Sequence, residues 1–134
     1  MARTSKDIQG DLMRLLAVSE LAVSINGAVY REGYRPRDSR MEDAVVVFTA
    51  GLAGQVQTGV VTVRVFVPDI LLGGVMVENG QRTAQIETLL QSFADSLTTA
   101  GSDYRWQQRD IVRTDYDHEF QQHFCVLALY FSVL

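Results

Sequence analysis

The two histidines of the chain lie close together near its C-terminal end, in the stretch DHEFQQHF, residues 117–124. His118 is followed by Glu119, and His123 comes five residues after His118. A zinc-protease motif has the form H-E-x-x-H, in which two histidines four residues apart on a helix share one ion. A spacing of five turns the second ring by about 140° on a helix and puts it on the opposite face of a strand. The aromatic surroundings favour a strand, so we predict a partly exposed histidine pair on a hairpin and no metal site.

The sequence lacks the other common catalytic and cofactor motifs. It contains no G-x-S-x-G nucleophile motif, no G-x-x-x-x-G-K-[ST] phosphate loop and no G-x-G-x-x-G dinucleotide motif. Cys125 lies in an apolar stretch, which predicts a buried thiol, because a reactive thiolate needs an accessible, electropositive environment. Gly73-Gly74 is interpreted as part of a flexible loop, and Glu42-Asp43 as an acidic pair without evident desolvation. We therefore expect no catalytic residue, no cofactor and no enzymatic activity.

An arginine-rich segment, YREGYRPRDSR at residues 30–40, combines four arginines with two tyrosines. Side chains of these types grip phosphates and stack on bases, so contact with nucleic acid is one interpretation. A solvated loop, or a loop that docks on a neighbouring subunit, has the same composition. The net charge of −4 argues against broad nucleic-acid binding, and no specific binding of nucleic acid is expected.

The composition is that of one globular domain. The chain has 134 residues, of which 47% are hydrophobic and 21% charged, so it can bury a core without disulfides or metals. A single cysteine cannot form an internal disulfide, which favours a reducing, intracellular environment. We find no secretory signal and no apolar run of the roughly 18–20 residues that span a membrane, so no membrane partner is expected.

Apolar spacing predicts two main helices and one short helical turn. Ser5 can cap the first helix, whose apolar residues recur at intervals of three and four up to Leu16. Ser19 caps the short turn, which ends at Asn26-Gly27. The clearest amphipathic helix covers residues 81–98 and ends near Gly101; its apolar residues are Ile86, Leu89, Leu90, Phe93 and Leu97.

Residues rich in β-branched side chains predict strands in the middle of the chain. A short strand covers residues 28–31, and the polar stretch 32–43 is interpreted as a solvated loop. Residues 44–67 form a long hairpin with its turn between Gly51 and Gly59. Residues 69–80 are interpreted as a loop.

The last third of the chain predicts a second hairpin, which turns at about residues 116–119. The alternation of its first strand separates two sets of side chains onto opposite faces, with Tyr104, Trp106, Val112 and Tyr116 on one face and Arg105, Arg109 and Arg113 on the other. The element order predicts a single α+β domain over residues 1–134. It has a mostly antiparallel sheet built from two hairpins, with two main helices packed on one face.

The pattern as a whole resembles the tail-completion and tail-terminator proteins of long-tailed bacteriophages and prophages. The resemblance extends over nearly the whole chain, from the amphipathic N-terminal helix through the short strand at GAVYREG to the C-terminal DIVRTDYDHEFQQHFCVLALYFSVL. Most of it lies in QTGVVTVRVFVPD and in the tyrosine-and-acid turn before the closing apolar strand. None of these segments is a catalytic motif.

The resemblance implies a structural protein that forms a ring, often a hexamer, at the end of the tail tube where the head attaches. Its implied partners are copies of itself, the tail tube and the head–tail connector proteins, with DNA only as passing cargo. The implied location is the bacterial cytoplasm during assembly and the virion tail afterwards.

A ring subunit needs two different surfaces that meet head to tail. Two segments are candidates for this interface, one rich in arginine and one apolar. The alternative for the apolar segment is packing on the domain's own core. The candidate residues are Arg31, Arg35, Arg37, Arg40, Leu71, Leu72, Val75 and Met76.

A competing interpretation is a small α+β module that binds a ligand or a protein without catalysis. Such a module needs a pocket with a few convergent polar groups, and Tyr104, Trp106 and His123 are the candidates to line it.

Overall fold

A computed structural model describes residues 2–99 and 103–134 and shows an α+β domain. The elements follow one another as α1 (Ser5–Ala17), α2 (Glu20–Ser24), β1 (Val29–Arg31), β2 (Ala44–Leu52), β3 (Gln57–Val67), β4 (Ile70–Leu72), β5 (Val75–Val77), α3 (Gly80–Thr99), β6 (Tyr104–Gln108), β7 (Arg113–Asp117) and β8 (Gln122–Val133).

Six strands form one sheet in the order β1-β2-β3-β8-β6, and β7 pairs with β8 beside β6. The strand β8 therefore lies inside the sheet, bonded along its length to β3 on one side and to β6 and β7 on the other. All pairs are antiparallel except β1 and β2. A parallel pair needs a crossover connection, and residues 32–43, called here the crossover loop, supply it without a helix.

Both main helices pack on the same face of the sheet, called here the helix face. α1 contributes Leu12 and Leu16 to the core, and α3 contributes Ile86 and Leu90. These side chains meet the inward-facing valines and leucines of β3 and β8, and removal of this apolar surface from water is the main stabilising contribution. The largest fully buried apolar strand residues on this face are Val46, Val61, Val63, Val65, Leu127 and Leu129.

The opposite face of the sheet, called here the outer face, carries no helix. A smaller cluster of Val45, Val47 and Phe66 is buried on it, with Phe120 and Phe124 packed against the cluster. The crossover loop reaches this cluster, since the guanidinium of Arg35 lies 4.1 Å from the centre of the Phe66 ring.

The predicted helices and the long hairpin are confirmed. α1 begins one residue after its cap, which is Thr4 rather than Ser5, because Thr4 and Asp7 form a reciprocal capping box. Ser19 caps α2 as predicted. The predicted end of the long helix near Gly101 lies outside the described residues. Trp106 and Val112 are buried in the main core and Arg105 and Arg113 are exposed, as the alternation predicted.

Three further local predictions were wrong. Residues 69–80 are not a simple loop, because β4 and β5 pair through a two-residue turn at Gly73-Gly74. The strand predicted before the last turn is interrupted between β6 and β7, whose registers on β8 differ by two residues. The crossover loop is not fully solvated, since Arg35 and the Glu42-Asp43 pair at its end are buried.

No helix in residues 2–99 and 103–134 has the length and apolar character needed to cross a membrane.

Candidate functional site

The two histidines lie on the β7–β8 hairpin, as predicted. His118 is exposed in the turn at residues 118–121, whereas His123 is half-buried on β8. The ring of Tyr116 lies between them, 5.0 Å from each imidazole centre. Within residues 2–99 and 103–134, no group of three or more His, Cys, Asp or Glu side chains is arranged to hold a metal ion.

His123 instead contacts both ends of the β4–β5 hairpin. Its Nδ1 lies 2.7 Å from Oδ1 of Asp69, and its Nε2 lies 3.8 Å from Oε1 of Glu78. Asp69 directly precedes β4 and Glu78 directly follows β5. The imidazole therefore anchors the base of this hairpin to the main sheet.

The β4–β5 hairpin is the most apolar exposed element of the described chain. Its two strands pair only with each other, as a separate sheet. Leu71 and Met76 are 69% and 59% exposed, and the other outward residues are similarly open to solvent. The alternative that this segment packs on the domain's own core is therefore excluded. The exposed side chains are Ile70, Leu71, Leu72, Val75 and Met76.

Two glycines make this hairpin possible. Gly73 and Gly74 both have positive φ angles, 59° and 82°, which is the conformation of a type I′ turn and matches the twist of two paired strands. A two-stranded hairpin is marginally stable at best in water. One built from exposed aliphatic side chains indicates a surface that meets another molecule.

An apolar groove lies on the helical side of the molecule, between α3 and the α1–α2 junction. Its volume is about 370 Å³, and Leu15, Leu21, Leu89 and Phe93 are among its lining residues. Val18 stands at its rim and is 85% exposed.

The groove and the hairpin occupy different parts of the subunit. Phe93 is thirteen residues beyond the start of α3 at Gly80, which is about 20 Å at 1.5 Å per residue. Each strand of the hairpin has three residues, or about 10 Å. The hairpin is therefore too short to fill the groove of its own chain.

The four candidate arginines do not form one patch. Arg31 is half-buried in β1, with its guanidinium beside Gly10 of α1. Arg37 is exposed and forms an ion pair with Glu119 at 2.7 Å. Arg40 is exposed. Arg35 points inward, and its side chain is only 3% exposed.

The burial of Arg35 changes its role from the expected one. Its Nε donates to Asp43 Oδ2 at 2.8 Å, and its Nη2 donates to Gln122 Oε1 at 2.9 Å. Asp43 also accepts hydrogen bonds from the Ser39 hydroxyl and the Ala28 amide. A buried ion pair needs such additional hydrogen bonds to offset desolvation. Arg35 therefore fastens the crossover loop to the sheet and does not contribute to an exposed interface.

No protein-family model matches this chain, and a search of curated proteins finds no significant match.

The residues predicted to line a ligand pocket do not come together. Tyr104 and Trp106 stack on the helix face with ring centres 4.7 Å apart. Trp106 pairs with Phe131, whereas His123 lies eight residues earlier on β8, about 27 Å away at 3.4 Å per residue. Sequence reasoning missed the outer face, where Arg35, Arg64 and several phenylalanines converge.

Cys125 is fully buried, as its apolar surroundings predicted. Burial raises the pKa of its thiol to about 11, and the hydrogen bond with the Thr114 hydroxyl offsets this only in part. The same side of the sheet holds Tyr104, whose pKa is raised by burial and by its hydrogen bond to the carboxylate of Asp11. Both groups stay protonated at neutral pH, which is unfavourable for nucleophilic chemistry.

Proposed function

We propose that this chain is a non-enzymatic structural protein that associates with copies of itself head to tail, through the β4–β5 hairpin. The resemblance to tail-completion and tail-terminator proteins gives the setting: a ring at the end of a phage or prophage tail tube, in contact with tail and head–tail connector proteins. The observation that carries the proposal is the concentration of exposed aliphatic side chains on one short hairpin.

The exposure pattern supports a specific contact and not general surface hydrophobicity. Among the large hydrophobic side chains exposed in the described chain, five fall within residues 70–76. The remaining ones are scattered singly over the other elements, which is usual for a soluble protein. A contiguous apolar surface on a separate two-stranded element is the kind that another protein covers.

The α1–α2–α3 groove is the complementary surface in this proposal. It is apolar, it is too far along α3 to receive the hairpin of its own chain, and it is therefore available to the hairpin of a neighbouring copy. A hairpin on one part of the subunit and a groove on another make a heterologous contact. Such contacts close into a ring when the rotation between neighbours divides a full turn.

The Leu71→Asp substitution tests the proposal. The side chain is exposed, so the folded monomer should keep its melting temperature, whereas a charge placed in an apolar contact should abolish association. Full burial of a leucine contributes about 1.5–3 kcal/mol, so each contact should weaken by roughly ten-fold or more. We would measure the solution mass by light scattering at several protein concentrations, in low and in high salt.

The native chain should give a mass of about six subunits at high concentration, the number that the resemblance implies, with each chain contributing 15.0 kDa. High salt should not dissociate an apolar contact, although it would screen one made by arginines. The matched control is Leu52→Asp, which changes an equally exposed leucine (74%) at the end of β2 and should leave association intact. A native chain that is monomeric at every concentration would contradict the proposal.

A further inference from the structure

The outer face of the sheet carries a second, polar cavity that is distinct from the hairpin and the groove. Its volume is about 270 Å³, and it lies where the crossover loop meets β2, β3 and the β7–β8 turn. The lining combines aliphatic and aromatic walls with arginines and with carboxylates. The residues that matter for the argument are Val45, Val47, Phe66, Phe120, Arg37 and Arg64.

Arg64 is a half-buried cation that forms no ion pair with the described residues. It occupies the middle of β3, opposite Val45 on β2 and Val126 on β8, and its guanidinium lies 5.3 Å from the centre of the Phe124 ring. No carboxylate in residues 2–99 and 103–134 is within ion-pair distance of it, and its Nε is buried without a hydrogen-bond acceptor there. A buried donor without an acceptor is costly.

A second unused donor belongs to Arg35. Its Nε and Nη2 are occupied by Asp43 and Gln122, but its Nη1 has no acceptor in the described part of the chain. The guanidinium stacks between the Phe66 and Phe120 rings, 4.1 and 5.1 Å from their centres. Arg35 and Arg64 both line the cavity, and each also has one buried N–H group without an acceptor in the described part of the chain, Nη1 and Nε respectively.

We propose that this cavity binds a monocarboxylate with an apolar body, such as an aromatic carboxylic acid. The carboxylate accepts from the guanidinium of Arg64, while the hydrocarbon part packs on Val47 and Phe66. Planar guanidinium groups match the geometry of a carboxylate. A pocket with apolar walls and a few convergent polar groups is the usual form of a small-molecule site.

The acidic groups at the cavity limit how much negative charge its ligand can carry. Glu119 is paired with Arg37, and Glu32 and Asp117 also line the space. These carboxylates repel a doubly charged phosphate more strongly than a single carboxylate, because the repulsion scales with the ligand charge. Ligand binding at this cavity does not require self-association, since the cavity and the β4–β5 hairpin share no residue.

Titration of the ¹⁵N-labelled full-length chain with benzoate, followed by NMR, tests this site. Benzoate should produce saturable shifts of the Val45 and Val47 amides and of the Arg64 Nε–H signal. Benzamide has the same shape without the charge and should not bind, acetate lacks the apolar body and should bind more weakly, and inorganic phosphate should not compete. Arg64→Gln should weaken benzoate binding roughly ten-fold or more, and Arg64→Lys by less.

Arg105→Gln is the matched control, because Arg105 is an exposed arginine on β6 outside this cavity. The Arg105→Gln variant should bind benzoate with the affinity of the native chain. Arg35 is left unchanged, since its loss would leave the buried carboxylate of Asp43 without its ion-pair partner. Three results would each overturn the inference: no saturable shift with benzoate, equal binding of benzamide, or unchanged binding by a folded Arg64→Gln variant. Tighter binding of phosphate would overturn the assignment to a carboxylate. Repeating the titration with Leu71→Asp separates this test from that of self-association.

Discussion

At the scale of single residues, the buried thiol of Cys125 on the helix face is held in its protonated form. Cys125 is in hydrogen-bond distance of the Thr114 hydroxyl and of the carbonyl oxygen of Thr83, at 3.4 and 3.5 Å. Glu87 and Glu78 lie near enough to disfavour a thiolate further. The thiol is thus held in its neutral form by burial first and by neighbouring charge second.

This environment predicts an alkaline loss of stability. The folded pKa of Cys125, about 11, lies above the ordinary thiol value of about 8.5. A raised folded pKa gives stability that is complete below the unfolded value and is lost as the pH rises through the folded one. Urea unfolding of the native chain should therefore weaken between about pH 8.5 and 11. Cys125→Ala should be less stable at every pH, because of the cavity, but should show a shallower slope in this window.

An equal slope in Cys125→Ala and in the native chain would show that another group controls the alkaline transition. Tyr104 is the first candidate, because its pKa is raised in the same direction. Tyr104→Phe measured over the same pH range distinguishes the two, since the tyrosine contribution should begin above its ordinary pKa of about 10.

The sequence predicted the burial of Cys125 but not that of Arg35 and Asp43. An apolar stretch indicates burial by itself, since every neighbour in sequence shares the same environment. Arg35, by contrast, is buried by Gln122 and Phe66, which come from strands far away in the chain. Only the pairing of strands brings these residues together. Local composition alone therefore does not distinguish a charged loop that packs on the sheet from one that is solvated.

At the scale of elements, the β4–β5 hairpin depends on its turn. Gly73→Ala places a side chain at a φ of 59°, which costs about 1–2 kcal/mol for a residue with a Cβ. The hairpin should therefore open, and the amides of Ile70–Leu72 and Val75–Val77 should exchange faster with solvent. The melting temperature should hardly change, because the hairpin is not part of the main sheet.

Gly80→Ala is the matched control for this substitution. Gly80 lies at the start of α3, has no positive φ, and has open space where a Cβ would stand, so the hairpin amides should exchange at native rates. Gly73→Asn should also be nearly native, since asparagine tolerates the left-handed conformation. Fast hairpin exchange already present in the native chain would contradict the view that the turn holds the element together.

Element types were predictable where periodicity extended over many residues. α3 and the β2–β3 hairpin have long amphipathic or β-branched patterns, and both were predicted close to their observed limits. The β4–β5 hairpin was predicted as a loop because three-residue strands with exposed apolar side chains show no alternation. The break between β6 and β7 was missed because a shift of two residues preserves the alternation of faces.

At the scale of the whole molecule, a head-to-tail contact differs from a symmetric one in a measurable way. A subunit with a defective hairpin keeps its groove, and a subunit with a defective groove keeps its hairpin. Leu71→Asp and Val18→Asp should each be monomeric alone, since both side chains are exposed at the proposed contact. Mixed in equal amounts, they should form a heterodimer and stop there, because only one functional pair of surfaces remains.

Light scattering of the mixture, compared with each variant alone, measures this outcome. A mixture that stays monomeric, or one that rebuilds the full assembly, would show that the hairpin and the groove are not the two halves of one contact. Val23→Asp is the control, because Val23 on α2 is as exposed as Val18 but does not line the groove. This variant should still assemble with the native chain.

The position of β8 also has a consequence for the order in which the chain folds. This strand comes after all of its partners in the sequence, yet it lies inside the sheet between β3 and the β6–β7 edge. Before β8 has been synthesised, β2 and β3 can pair as a hairpin, but the valines of β3 and the apolar side of α3 have no strand to cover them. Pairing between strands distant in sequence is slow and leaves such edges open to aggregation. Nascent chains of this protein should therefore depend on the ribosome or on chaperones until β8 is in place.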